Sequence, residues 1–535
     1  MPPATRVRGR ATRPALRWAL MAATSALVLG GWLASAPTGA SPDDDYHLTS
    51  IWCSHGFAEG VCLPNPSGPW DRQTFVPFPV ASMSCTAYDA TVSAACQEEI
   101  LARDPRQLTL GIGGNVGGER AGLYYWVMHV FVSDDHPRAF ASIRIANAVL
   151  ALALVAATMG LAAPALRRTV ALTWLVGMLP LGLFLVTSVN TSAWGLAGLG
   201  TAWANALTAV APGRPWRRAA AAGLAVLGAV IALGARTEAL AHLLLAVPVV
   251  LLLRRAVVPP ARSVRRRWSA RAAVGAAAAG LAGIAAAASL LPTPGYLATL
   301  LGAVGEGVAE VDERGFGDPW LAVLLEVPQL WAGGLGDRWG LGWLDTPMPS
   351  LTSVATVGTF AALVALGLRG AVRARGAAVG VALAGLVALP AVSLLAAGLV
   401  VGEQFQPRHY LPALLLLLGA ATLADRAGPG LVVGPGARAT LTATLAVANA
   451  AALHVNIRRY SAGLTQARAW DLDAGVEWWW PALPAPMTVW IVATLAFAVL
   501  AWLVLGLFAA TATADRTAER TAQPTSGAAP ARPTE

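Results

Sequence analysis

The sequence predicts an all-α polytopic membrane protein with about twelve transmembrane helices and a long, disulfide-stapled first extracytoplasmic loop. The chain has 535 residues, of which 56% are hydrophobic and only 13% are charged. Its apolar residues form repeated runs of roughly 20 residues, the length that an α-helix needs to cross a bilayer. All 38 basic residues are arginines, and many lie in short segments between these runs. The net charge of +9 therefore indicates membrane topology and does not indicate nucleic-acid binding.

The apolar runs define the helices in order along the chain. They lie at about 15–37, 141–162, 169–189, 193–212, 219–235, 238–253, 272–292, 351–368, 377–400, 409–424, 439–456 and 488–510. A cytoplasmic N-terminus, residues 1–14, puts most arginines on the cytoplasmic side, as the positive-inside rule requires. Both termini are then cytoplasmic, and residues 511–535 form a disordered tail. The alternative for the first run is a cleaved signal peptide, because "WLASAP" offers small residues after an arginine-rich start.

Three long segments separate groups of these helices and fall on the outer side. The segment 38–140 precedes helices 2–7 (141–292), the segment 293–350 precedes helices 8–11 (351–456), and the segment 457–487 precedes the last helix. Loops of this length are usually functional or independently folded. We therefore expect the functional residues on the outer side.

All four cysteines lie in the first of these loops, at Cys53, Cys62, Cys85 and Cys96. This confinement predicts two disulfides in an oxidising compartment. Pairing in sequence order is the simplest of the three connectivities. A metal site is the alternative, but spacings of nine and eleven residues do not match the short C-x-x-C motif of zinc sites.

An acidic cluster, "SPDDDYHL", follows the first apolar run. Three adjacent carboxylates, Asp43, Asp44 and Asp45, need a metal ion, arginine partners or raised pKa values to coexist. In an enzyme, one of them can accept a proton from an acceptor hydroxyl. The equally weighted alternative is an acidic N-cap of a helix, where negative charge suits the helix dipole.

Two further motifs carry polar groups at the outer ends of helices. In "GEQFQPRHYLP", Arg408 lies between Gln406 and Tyr410, and its planar guanidinium suits a phosphate; the alternative is an interfacial anchor. In "DRWGLGWLDTPMPS", Trp343 and Asp345 suit sugar binding; the alternative is an aromatic belt. The same two interpretations apply to the tyrosines of "GLYYWVMH".

Together, these motifs resemble a bacterial family of membrane proteins catalogued as domain of unknown function 2142, which is similar to the GT-C superfamily of integral-membrane glycosyltransferases. The family motif P-D-E-x-x-H is matched by Pro42, Asp43, Asp44 and His47, with aspartate in place of glutamate. The motif G-W-L-D-T-P-x-P is matched in full at 342–349. The motif Q-G-R-Y-x-L-P is matched in part at 406–412, where Pro407 and His409 depart from it.

The resemblance implies transfer of a sugar from a polyprenyl-phosphate donor to an envelope glycan or glycolipid, on the outer face of the cytoplasmic membrane. Asp43 or Asp44 would be the base, in some relatives assisted by a divalent cation, Mg²⁺ or Mn²⁺, that the same two residues would bind. Arg408, Gln406 and Tyr410 would hold the donor phosphate. The sugar and acceptor would contact His47, Trp343, Asp345, Tyr124 and Tyr125. The arginine-rich composition indicates an actinobacterium and hence an arabinosyl or mannosyl donor.

Two other functions are compatible with this composition. A transporter or flippase is the first, because twelve spans with both ends inside are common among carriers, but it predicts charged residues near mid-bilayer. A noncatalytic envelope assembly protein is the second. The gathering of polar motifs at the outer side favours the enzyme.

Overall fold

The computed structural model describes residues 12–68, 73–111, 113–116, 121–258, 319–337, 339–397, 401, 406–428, 430–464, 470–480 and 482–509. The predicted helix at 272–292, the first part of the predicted loop 293–350 and the tail 511–535 lie outside these ranges.

Helices make up most of the described chain. They are α1 (Thr12–Ala34), α2 (Asp44–Cys53), α3 (Phe78–Ser82), α4 (Cys96–Leu101), α5 (Leu123–Met128), α6 (His136–Leu161), α7 (Pro164–Gly177), α8 (Leu181–Val186), α9 (Ser192–Val210), α10 (Pro215–Leu233), α11 (Ala239–Val257), α12 (Pro319–Gly334), α13 (Ser350–Leu368), α14 (Arg373–Ala397), α15 (Leu411–Thr422), α16 (Pro435–Ser461) and α17 (Pro486–Leu505). Helix α12 occupies part of the segment for which the sequence predicts a loop.

Eight helices of the described chain are long and apolar enough to cross a membrane: α1, α6, α10, α11, α13, α14, α16 and α17. They correspond to eight of the twelve predicted spans, and a polytopic membrane protein is thereby confirmed. The other four predicted spans are not confirmed. The run 169–189 is divided between α7 and α8, the run 193–212 forms α9, the run 409–424 forms the short α15, and the run 272–292 is not described.

Helices α9 and α15 form the centre of the bundle. Every residue of α15 except Pro412 is buried, and α15 packs against helices on several sides, among them α9, α13 and α14. Helix α9 is buried along most of its length and packs closely on α10. This burial on all sides places α9 and α15 inside the bundle, away from lipid. With only 12 residues, α15 is too short to cross a bilayer in the way that the sequence predicts.

The segment between α1 and α6, residues 35–135, which we call the first loop, is folded and contains a small sheet. Strands β1 (Leu63–Pro64), β2 (Thr74–Pro77) and β3 (Leu108–Leu110) pair antiparallel in that order, with Val76 opposite Thr109. The all-α prediction misses this sheet because strands of two to four residues carry no readable alternation.

The two disulfides in sequence order are confirmed. Cys53–Cys62 ties the end of α2 to the approach to β1, and Cys85–Cys96 closes the stretch that leads into α4. The rival metal interpretation of these cysteines is thereby excluded.

The bundle has two chemically different ends. Arginines lie in or within a few residues of the links from α6 to α7, α9 to α10 and α13 to α14, and all three links lie at one end. The first loop, the α10–α11 link and the residues that precede α15 lie at the opposite end, because successive helices run up and down. We call this second end the site end.

Candidate functional site

A cavity of about 880 Å³ opens at the site end of the bundle. It lies between the start of α2, the α10–α11 link, one face of α14 and the segment 406–410. Six of the residues that the sequence singles out line it: Asp43, His47, Tyr125, Gln406, Arg408 and Tyr410. Folding therefore joins parts of three separate motifs in one place.

Asp43 and Arg408 form an ion pair across this cavity. Arg408 Nη2 donates to Asp43 Oδ2 at 2.5 Å, and Arg408 Nη1 donates to the carbonyl oxygen of Pro42 at 3.0 Å. The Arg408 side chain is buried, whereas 41% of the Asp43 side chain is exposed. Burial opposes ionisation of Asp43, but the charges of Arg408, His47 and Arg236 prevail and lower its pKa to about 2. Asp43 is therefore a carboxylate at neutral pH.

The backbone at Asp43 decides between the two interpretations of the acidic cluster for this residue. Asp43 occupies the N-cap position of α2 with φ of 66°, a left-handed conformation that aspartate tolerates better than most residues. Its side chain makes no capping hydrogen bond. Asn190 Nδ2 also donates to the Pro42 carbonyl, at 3.0 Å, so two side chains hold this turn. The turn presents the carboxylate to Arg408 and the cavity instead of to the helix.

Asp44 and Asp45 have different surroundings. Asp44 is 1% exposed, does not line the cavity, and accepts backbone N–H groups of Gly39 at 3.0 Å and Ser41 at 3.3 Å. Burial raises the pKa of Asp44 well above its usual range, against the opposing effect of those hydrogen bonds. Burial likewise raises the pKa of Asp45, whose Oδ1 accepts the backbone N–H of Tyr46. Of the two aspartates predicted as the base, only Asp43 therefore lines the cavity, and Asp44 has the geometry of a turn-stabilising residue.

The α10–α11 link supplies a second ion pair to the same cavity. Arg236 Nε donates to Glu238 Oε1 at 2.6 Å, and Arg236 Nη1 donates to Thr191 Oγ1 at 3.2 Å. Arg236 lies at the outer end of the predicted span 219–235, and its place beside Arg408 is not predictable from spacing. The signal that was available is the polar stretch "ARTE" between two apolar runs.

The predicted aromatic residues are divided between the cavity and the protein core. Tyr125 lines the cavity, and its hydroxyl lies 3.0 Å from His47 Nδ1. Tyr124 is fully buried and accepts a hydrogen bond from Asn147 Nδ2 at 3.1 Å. Tyr125 and His47 therefore line the cavity together, whereas Tyr124 packs in the core.

Trp343 and Asp345 lie away from the cavity and connect the first loop to later helices. Trp343 Nε1 donates to the Gly39 carbonyl at 2.8 Å, and Asp345 pairs with Arg459 of α16 at 2.9 Å. Gly342 adopts φ of 64°, and a Cβ there would lie 2.8 Å from the Tyr460 hydroxyl. The tight turn explains why this motif contains glycine. Neither Trp343 nor Asp345 lines the cavity that Asp43 and Arg408 share.

The donor set does not fit a resident divalent cation. The described residues contain no group of three or more histidine, cysteine or acidic side chains placed to share a metal ion. Asp43 faces Arg408, and Asp44 turns toward backbone amides, so the two predicted ligands point to different partners. We therefore derive no step through a metal ion.

Comparison with known protein families yields a match. The family described as "Predicted membrane protein (DUF2142)" matches residues 26–417, well over half of the chain. A search of curated proteins found no similar sequence. The chain therefore belongs to this family of predicted membrane proteins.

Proposed function

We propose that this family member is a membrane glycosyltransferase that moves a sugar from a polyprenyl-phosphate donor to an envelope glycan or glycolipid. One observation carries the proposal: a carboxylate and two guanidiniums share a cavity that has an apolar wall on α14. Ala388, Leu389 and Val392 of α14 form part of that wall. A lipid-linked sugar phosphate has the matching parts, because it combines an isoprenoid chain, an anionic link and a polar sugar.

The charge distribution supports an orientation for this enzyme. Arginines at the end opposite the cavity favour the cytoplasm under the positive-inside rule, so the site end would face outward. We propose an inner-membrane protein with both termini inside. The proposal keeps a GT-C-like polytopic topology, in which α9 and α15 would be interior helices. Two disulfides at the site end agree with an oxidising outer compartment.

In the proposed reaction, the acceptor oxygen bonds to the anomeric carbon while the bond between that carbon and the phosphate oxygen breaks. The hydroxyl proton passes to Asp43, and the leaving polyprenyl phosphate keeps the electron pair. Arg408 would stabilise the charge that develops on that phosphate, which is the type of interaction that contributes most to such reactions. His47 and Tyr125 line the same cavity and would contact the sugar or the acceptor.

The Asp43–Arg408 pair implies an order of events. While the pair is closed, Arg408 holds the pKa of Asp43 low against the effect of burial, so Asp43 is a weak base. A donor phosphate that takes over the guanidinium would remove most of this effect. Asp43 would then become a stronger base only when the donor is bound, which would limit unproductive chemistry.

The two neighbouring aspartates provide a matched test. A strain lacking this protein would be complemented with wild type, Asp43→Asn or Asp44→Asn, and its envelope glycans would be analysed for sugar composition and linkage. We expect Asp43→Asn to lose transfer by about 100-fold or more, the usual contribution of a general base. Asp44→Asn should restore the glycan, because an amide can still accept the two backbone N–H groups.

The controls are immunoblots that show equal amounts of each variant in the membrane. A glycan profile that does not change when the protein is removed would refute the transferase proposal. Full restoration by Asp43→Asn would refute the role of Asp43 as the base.

A further inference from the structure

We infer that Arg236 is a second phosphate-binding residue, so that Arg236 and Arg408 together hold the phosphate of an isoprenoid phosphate ligand. The inference rests on the proposed function and specifies its donor site. Both guanidiniums line the same 880 Å³ cavity, although they come from the α10–α11 link and the segment before α15. Arg236 and Arg408 also both line a smaller neighbouring cavity, so the two side chains lie close to each other.

The charges of the two arginines act on each other. Burial lowers the pKa of Arg408, the Asp43 carboxylate opposes that shift, and the nearby Arg236 charge adds to it. Two like charges held close in a partly buried site are unfavourable unless anions lie between or beside them. Asp43 and Glu238 fill this role in the absence of ligand, with one carboxylate on each guanidinium. A phosphate oxygen can replace a carboxylate oxygen at either position, because both suit the planar guanidinium fork.

The proposed reaction redistributes negative charge between Asp43 and the donor phosphate, beside the two guanidiniums. As the phosphate leaves the sugar, it gains one negative charge, while the proton from the acceptor neutralises Asp43. The total charge near the two guanidiniums is therefore the same before and after the step. Arg408, released from Asp43, and Arg236 can then both stabilise the leaving phosphate, an interaction that is stronger in the transition state than in the bound donor.

Glu238 fixes the position of Arg236, and His242 adds a polar group to the cavity lining. Glu238 lies two residues after Arg236 and pairs with it, which holds the guanidinium at the cavity wall. The Glu238 carbonyl accepts from His242 Nδ1 at 3.1 Å, so Nε2 is left as an acceptor. Nε2 is buried and has no hydrogen-bond partner within the described part of the chain, and His242 lines the cavity. A ligand hydroxyl beside the phosphate would satisfy it.

The apolar wall on α14 favours a lipid-linked phosphate over a free one. Inorganic phosphate would leave that wall in contact with water, whereas an isoprenoid chain would cover it. The test therefore compares three probes on the full-length protein in phosphatidylcholine nanodiscs: farnesyl phosphate, farnesol and inorganic phosphate. Binding is followed by intrinsic tryptophan fluorescence, with thermal shift as a second readout.

We expect Arg236→Ala to weaken farnesyl phosphate binding by roughly tenfold or more and to leave farnesol binding unchanged. Arg236→Lys keeps the positive charge but loses the planar guanidinium, so its affinity for farnesyl phosphate should lie between those of wild type and Arg236→Ala. The matched control is Arg106→Ala, which removes an exposed arginine of the first loop that pairs with Asp134 away from the cavity. It should bind all three probes as wild type does.

Two outcomes would overturn the inference. If Arg236→Lys and Arg236→Ala bind farnesyl phosphate as tightly as wild type, or weaken farnesol binding equally, Arg236 has only a structural role. If inorganic phosphate binds as tightly as farnesyl phosphate, the site takes a free anion and the lipid assignment is wrong. These readouts need no sugar transfer, so loss of the proposed transferase activity in the glycan test would leave the phosphate site standing, and the reverse also holds.

Discussion

Two arginine–aspartate pairs lie beside the first loop, and they differ in how far their side chains are exposed. The Asp345–Arg459 pair is sealed: the Arg459 side chain is 0% exposed and that of Asp345 is 8% exposed. Arg459 also donates to the carbonyls of Val92 at 2.6 Å, Thr86 at 2.7 Å and Asp89 at 2.9 Å.

The Asp43–Arg408 pair is open on one side. Arg408 is buried, but 41% of the Asp43 side chain is exposed and both residues line the large cavity. The same chemical pair is therefore enclosed in one region and lines a cavity in the other, where we propose that it takes part in the reaction. Exposure to a cavity, and not the pairing itself, separates a functional ion pair from a structural one.

The largest expected difference between the two pairs is in stability. Arg459→Ala removes a cation from three carbonyls and leaves Asp345 buried without its partner, so we expect a loss of about 3–5 kcal/mol. Arg408→Ala leaves an aspartate that water can reach, and should lose much less stability while losing phosphate binding. Thermal unfolding of both variants in the same detergent measures the difference. Equal shifts in Tm would contradict the distinction.

The second prediction concerns the loop that encloses Arg459. All three carbonyl partners of Arg459 lie between Cys85 and Cys96, so this disulfide constrains the acceptors of the sealed pair. The double change Cys85→Ser and Cys96→Ser should cost about 3 kcal/mol by the chain-entropy estimate for a loop of this length. Thermal unfolding of wild type and of the double variant measures this loss of stability, and farnesyl phosphate binding serves as the control. Binding should persist, since the cavity pair does not depend on these carbonyls.

A smaller effect is expected at the contact between the two regions. Trp343→Phe removes the indole donor to the Gly39 carbonyl and keeps most of the apolar packing. The free energy of unfolding should fall by about 1 kcal/mol, the usual net value of one hydrogen bond. Glycan transfer should stay near wild type, because Trp343 does not line the cavity. A large loss of transfer with unchanged Tm would instead support the predicted sugar-binding role of Trp343.

The last prediction concerns a difference in pH dependence between adjacent aspartates. The pKa of Asp43 falls from 3.8 to about 2 on folding, so its contribution to stability is present above about pH 4 and is lost as pH falls through 2. The pKa of Asp44 is raised, so its contribution is present below pH 3.8 and is lost as pH rises toward the folded-state pKa. Relative to wild type, Asp43→Asn should lose stability and Asp44→Asn should gain it as pH rises from 3 to 7. Parallel Tm curves for the two variants would contradict these opposite signs.

Much of the framework was predictable from the sequence. The apolar runs located eight candidate membrane helices, and the confinement of the cysteines predicted both disulfides. The acidic cluster was predicted to need a metal ion, arginine partners or raised pKa values, and in the structure Asp43 pairs with Arg408. These predictions succeeded because helix length, charge placement and cysteine spacing are properties of short segments.

The remaining features depend on contacts between distant segments. Trp343 and Asp345 combine aromatic and carboxylate groups in a pattern that suits a sugar, yet they bind Gly39 and Arg459. Asp43 and Asp44 are neighbours with the same side chain, but the left-handed turn directs one into the cavity and the other into the loop interior. Nothing in residue type distinguishes them.

By itself, the sequence determined that the chain crosses a membrane, where most of its helices lie, and that its cysteines pair in the first loop. Bilayer thickness and the cost of burying charge impose these features on each segment separately. Only the tertiary structure decided that Asp43, Arg236 and Arg408 share one cavity and that Arg459 closes the other pair. Partners separated by more than 100 residues, as both arginine–aspartate pairs are, are selected by how the helices pack, and packing is a property of the whole chain.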